Sequence, residues 1–96
     1  MTTINAIRAH SGDNCVTLIA ACAAGQTVSY TDDGQISRLT AREAIPQYHK
    51  LAIADIPRAA PVRKYGSAIG LAAVDISAGR HIHTHNLEPL PRGKEE

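Results

Sequence analysis

Gly79-Arg80-His81-Ile82-His83-Thr84-His85-Asn86 places three of the chain's five histidines at alternate positions. On a β-strand, residues i, i+2 and i+4 face the same side. The imidazoles of His81, His83 and His85 are therefore expected to line one face, with Ile82 and Thr84 on the other. Neighbouring rings on such a face stand about 6.5–7 Å apart at the backbone, from a rise of about 3.3 Å per residue. Two adjacent rings can converge on one metal ion at that spacing. Three cannot do so from a regular strand without strain, so at most two are expected to ligate. Neutral imidazole suits iron, zinc and other first-row metals. A pKa near 6.5 also suits proton transfer. The competing reading is an exposed polar strand whose histidines only make hydrogen bonds. That reading wins for a lone histidine and loses for three in register.

Other residues are weaker candidates. His49-Lys50 opens an apolar stretch at Leu51, and a lysine beside a histidine can hold a carboxylate. Such a pair is more often a solvated strand end. Lys64-Tyr65-Gly66 puts a cation and a phenol before a turn. Asp13-Asn14 reads as a turn or a cap. Asp55 and Asp75 recur at equivalent turns, which points to structural turn bonding rather than an acid/base pair.

The elements that must carry these residues are short. Apolar stretches alternate with turn signals every ten or so residues, the pattern of a compact all-β domain. Residues 7–9, 28–30, 50–54, 61–64, 69–74 and 81–85 all suit strands. Residues 16–24 fit a strand or a short helix equally well. Ser11-Gly12-Asp13-Asn14 and Asp32-Asp33-Gly34 read as turns. Leu51-Ala52-x-x-Asp55-Ile56 recurs as Leu71-Ala72-x-x-Asp75-Ile76, and a fainter copy runs from Leu18 through Gly25 to Val28. This spacing predicts structural repetition.

Composition excludes several function classes. With 96 residues there is room for one domain. Trp and Phe are absent and Tyr occurs three times, so the core must be aliphatic and no base-stacking platform is expected. The net charge is +1 with both signs scattered, which is not the basic stripe of a nucleic-acid binder. No apolar run is long enough to cross a membrane as a helix, and the first residues lack the charged and apolar regions of a signal peptide. Cys15 and Cys22 lie in neither a CxxC nor a zinc-ribbon pattern and read as reduced, buried thiols of a cytoplasmic protein.

Taken together, Asp13-Asn14-Cys15-Val16, Pro46 with His49-Lys50, Asp55-Ile56-Pro57, Pro61-Val62, Lys64-Tyr65-Gly66, Ile69-Gly70 and Gly79 through Asn86 resemble, in order, the SAF domain of the altronate and galactarate dehydratases. The resemblance covers residues 5–88 and leaves 89–96 as a polar, proline-containing tail. It implies a mostly β, small β-clip domain of short bent strands with at most one or two short helices. It further implies a hydro-lyase that removes water from a small sugar acid to give a 2-keto-3-deoxy acid. This chain would be the small subunit, inactive alone, beside a large catalytic subunit; a homo-oligomer is also open. A divalent cation, Fe²⁺ or Mg²⁺, would hold the carboxylate and polarise the leaving group. His83 and His85 are the expected metal ligands. His83, His85 and His81 are the expected catalytic groups, and Lys50, Lys64, Asn86 and His49 the expected substrate contacts. The chain departs from the family at Ala59, where glycine is common. Alternatives are the small subunit of a sulfolactate sulfo-lyase, which expels sulfite by the same elimination, and a non-catalytic SAF module for carbohydrate binding or assembly. A free-standing metal-binding β domain is a further one.

Overall fold

The computed structural model describes residues 3–91. Nine strands are found among them: β1 (Ala6–Ile7), β2 (Cys15–Leu18), β3 (Thr27–Asp32), β4 (Gln35–Thr40), β5 (Lys50–Ala52), β6 (Pro61–Lys64), β7 (Ser67–Ala72), β8 (His81–Ile82) and β9 (Leu87–Glu88). No helix occurs among the described residues, so the domain is small and mostly β, as expected. No helix there is long and apolar enough to cross a membrane. The uncertain segment 16–24 is a strand to Leu18 and then an irregular turn. Of the expected tail, Pro89 to Pro91 has no regular structure, and 92–96 lie outside the described residues.

The central sheet runs β1-β2-β5-β8, all antiparallel. It divides two cores. Val16, Leu18 and Leu51 pack into one cluster with Val28, Tyr30 and Ile45. Cys15, Ala52 and Ile82 join Ile56, Val62 and Ile76 in the other. A strand buried on both faces cannot alternate polar with apolar. That is why Cys15-Val16-Thr17-Leu18 reads as a nearly continuous apolar run.

Two hairpins flank this sheet, β3-β4 and β6-β7, and β9 pairs with β7. Each hairpin turns through two left-handed residues, Asp33-Gly34 and Tyr65-Gly66, the geometry that matches the strand twist. Asp13 explains how the second is held. Its carboxylate is buried and accepts the backbone N–H groups of Tyr65 and Gly66 at 3.0 and 2.8 Å. Asn14 accepts the N–H of Arg63 at 2.8 Å and donates to the carbonyl of Pro61 at 3.0 Å. The Asp13-Asn14 turn is thus a brace between β2 and the β6-β7 hairpin.

One turn occurs four times. Cys22 bridges Ile45, and Ile56 bridges Ile76. Three residues after each bridge the backbone is left-handed, at Gly25, Tyr48, Ala59 and Gly79 (φ 86°, 67°, 72° and 91°). Asp55 accepts the N–H of Ala78 and Asp75 that of Arg58, at 2.9 and 2.8 Å, so these carboxylates do bond turns. An L-residue held in left-handed backbone costs about 1 kcal/mol or more, part of which glycine returns as chain entropy. Ala59→Gly is therefore expected to stabilise the domain by about 0.5–1 kcal/mol. Urea unfolding should show a higher midpoint at unchanged slope. A lower midpoint would mean that the alanine methyl is needed for packing.

Candidate metal centre

β8 ends at Ile82, and residues 83–86 form a turn. The three alternating histidines therefore do not share one extended strand face. The physical reason is Asn86, which is buried. Its Oδ1 accepts the N–H of His83 at 2.9 Å, and its Nδ2 donates to the carbonyl of His81 at 2.7 Å. Both ends of the amide are spent on closing the loop. His83 is bent back beside His81, their rings nearly parallel at 7° with centroids 5.7 Å apart.

The third ring comes from a distant part of the chain. β5 pairs with β8 so that Lys50 faces Ile82 and Leu51 faces His81. His49 immediately precedes β5 and is carried onto the same corner. Its Nδ1 lies 2.8 Å from Nε2 of His81, one ring donating and the other accepting. Its ring stacks on His83 with centroids 4.0 Å apart. One nitrogen from each of His49, His81 and His83 lies within 4.8 Å of the other two, and all three residues are half-buried. His85 is exposed and stands at the edge, its ring tilted 39° to that of His81 at 5.2 Å.

Electrostatics favours the ligating form. Burial lowers the pKa of His81, as do His49, His85 and His83, while Glu43 pulls it up. Partial burial also lowers that of His83, helped by His49, Lys50 and His85. Both shifts favour the neutral, ligating form of His81 and His83. In a tetrahedral site, bonds of about 2.0–2.1 Å set ligand nitrogens about 3.3 Å apart. The three nitrogens, all within 4.8 Å of one another, stand near that spacing. An all-nitrogen donor set suits iron or zinc, whereas Mg²⁺ prefers oxygen.

The remaining expected residues divide. Lys50 sits beside His49, and its charge reaches His83. Lys64 is at the end of β6, with its ammonium 4.9 Å from the centre of the Tyr65 ring, and makes no hydrogen bond or ion pair to the histidines. Asn86 is a loop clamp. Cys15 and Cys22 are free and buried, and burial pushes the Cys15 thiol up to about 11. Glu43 went unnoticed in the sequence, yet its Oε2 accepts the N–H of His81 at 3.0 Å. The signal available was the turn copy centred on Ile45, which puts residues 43–50 opposite 79–83. Tyr48 concealed it by standing where glycine would have marked the turn.

Comparison with known proteins agrees with this architecture. The family model of the altronate/galactarate dehydratase SAF domain matches residues 4–90. The altronate dehydratase of Escherichia coli (strain K12) is 42% identical over 80 residues, which are 83% of this chain and 15% of that protein. The (2R)-sulfolactate sulfo-lyase subunit alpha of Chromohalobacter salexigens is 32% identical over 83 residues, covering 82% of this chain and 88% of that subunit. The subunit of the same name from Paracoccus pantotrophus is 41% identical over 58 residues, 60% of this chain and 87% of that protein. The chain thus spans a small part of the dehydratase and most of each sulfo-lyase subunit. With the motifs around Asp13, His49, Tyr65 and His81 in place and the match running almost end to end, the chain belongs to the altronate/galactarate dehydratase SAF domain family.

Proposed function

We propose that this chain is the small subunit of a sugar-acid dehydratase, contributing histidines to metal-assisted β-elimination of water alongside a large catalytic subunit. The observation that carries this reading is the convergence of His49, His81 and His83 nitrogens within 4.8 Å on a half-buried corner. Relatives named as dehydratase and as sulfo-lyase support the reaction class, and the subunit designation of two of them supports a partner. Free thiols at Cys15 and Cys22 suit the cytoplasm.

Elimination needs a base for the proton beside the carboxylate, neutralisation of the charge that builds there, and acid help for the departing hydroxyl. His49, His81 and His83 would hold the cation; of Fe²⁺ and Mg²⁺, the nitrogen donors favour Fe²⁺. When bound, the ion supplies Lewis acidity toward the carboxylate and the leaving group. Lys50 adds a fixed positive charge beside His83. His85, exposed and next to His81, would exchange a proton with a bound acid. Sulfite expulsion from sulfolactate is the second reading, favoured by the coverage of the sulfo-lyase subunits.

The test is co-expression with a candidate large subunit from the same genome, then assay on sugar acids and sulfolactate with added Fe²⁺. The pair is expected to turn over one of these, and the isolated chain none. His83→Ala should remove turnover while the subunits still associate. Full activity of that variant, or failure of any complex to form, would leave a binding module instead.

A further inference from the structure

Glu43 lies on the turn before Ile45, facing the strand that carries His81. Its Oε2 accepts the His81 N–H at 3.0 Å. The same segment is already fastened by the main chain, since Arg42 N–H donates to the carbonyl of Gly79 at 2.9 Å. A neutral amide at position 43 could accept the His81 N–H just as a carboxylate does. What the amide lacks is charge. Glu43 has no ion-pair partner among the described residues, where the one pair is Arg8 with Asp32. The Glu43 carboxylate is hydrogen-bonded to the segment that carries His81 and His83, two of the three rings whose nitrogens converge within 4.8 Å. The charge thus sits beside the corner where the three rings converge.

We propose that Glu43 is a positioning residue whose carboxylate, anchored to the backbone of His81, supplies the negative field that raises the divalent-cation affinity of the His49–His81–His83 cluster. This rests on the cluster being a cation site. Groups just outside a metal's ligands typically change affinity 10–100-fold. A charge acting through space has a further signature: its effect shrinks with salt, as the screening length falls from about 30 Å at 0.01 M to about 3 Å at 1 M. A purely structural brace would show no such dependence.

The experiment titrates Co²⁺ into the full chain by calorimetry and visible absorption, at about 0.02 M and about 0.5 M salt. Glu43→Gln keeps an acceptor and removes the charge. It is expected to bind Co²⁺ about tenfold more weakly at low salt, with the gap closing to about threefold or less at high salt. The melting temperature without metal should match the wild type. Glu43→Asp should recover part of the loss. Equal affinity of Glu43→Gln and wild type at low salt would overturn the inference, as would a gap that ignores salt. If the wild type takes up no Co²⁺, or His81→Ala binds it equally well, the cluster is no cation site and the inference falls with that reading.

Discussion

His49→Ala is expected to weaken binding of Co²⁺ or Fe²⁺ by more than about 100-fold, because it removes one of three converging donors. Ligands matter more than the groups supporting them, whose loss costs 10–100-fold in general. The ring does two jobs. Its Nδ1 shares a hydrogen bond with Nε2 of His81 at 2.8 Å, which fixes the orientation of that ring. Its face covers His83 at 4.0 Å between centroids. Without it, two half-buried imidazoles remain, one on β8 and one on the turn that follows. His85→Ala makes the contrast, since His85 is exposed and outside the group of three. That variant should lose less than about threefold in cation affinity, an effect of the order of a weak through-space charge term. Calorimetric titration of both variants decides the matter. If His85→Ala abolishes binding and His49→Ala does not, the ion sits between His83 and His85, the pair that alternation along a strand suggests.

Gly79→Ala is expected to destabilise the domain by about 2–4 kcal/mol, by adding backbone strain to a steric clash. A Cβ there would stand 2.7 Å from the carbonyl oxygen of Thr40 and 2.8 Å from Cγ of Arg42, at φ +91°. The arginine side chain can move aside. The Thr40 carbonyl cannot do so without shifting the turn that carries Glu43. Gly25 is the matched control: it occupies the equivalent place at φ +86° with nothing within 4 Å of a Cβ. Gly25→Ala should therefore show the conformational penalty alone, about 1–2 kcal/mol. For a domain whose whole stability is of the order of 5–15 kcal/mol, the difference is easily read from urea midpoints. Equal losses in the two variants would show that the Thr40–Gly79 approach relaxes freely.

Much of this was legible in the residues. Short strands, aliphatic core, the Asp33-Gly34 turn and the Leu51/Leu71 repeat all follow from local pattern, because each depends on neighbours a few positions away. The histidine-rich segment announced itself for the same reason. Its shape did not. A strand through His85 is what alternation suggests, and Asn86 defeats it by bonding His83 N–H and the His81 carbonyl, contacts that a period-two pattern cannot encode. His49 drew notice as a possible substrate contact, but its meeting with His81 depends on the β5-β8 register across 32 residues. Lys64 and His49 were both expected as substrate contacts. Strand order separated them, sending one to the histidines and the other to the hairpin that Asp13 holds. Glu43 was invisible because one acceptor aimed at one backbone amide leaves no spacing to detect.

Repetition of a single turn also bears on how a chain like this can come to carry chemistry. Counted from each bridging residue, Gln26-Thr27, His49-Lys50, Ala60-Pro61 and Arg80-His81 are equivalent dipeptides in four related modules. The first and third hold nothing reactive. The second and fourth hold the ring-bearing residues, and they meet only because β5 and β8 are neighbours. Each half of the domain thus joins one unreactive module to one that bears a ring. Neither half carries all three converging rings. The corner is therefore a property of the assembled domain, and either half alone would lack at least one of its three rings.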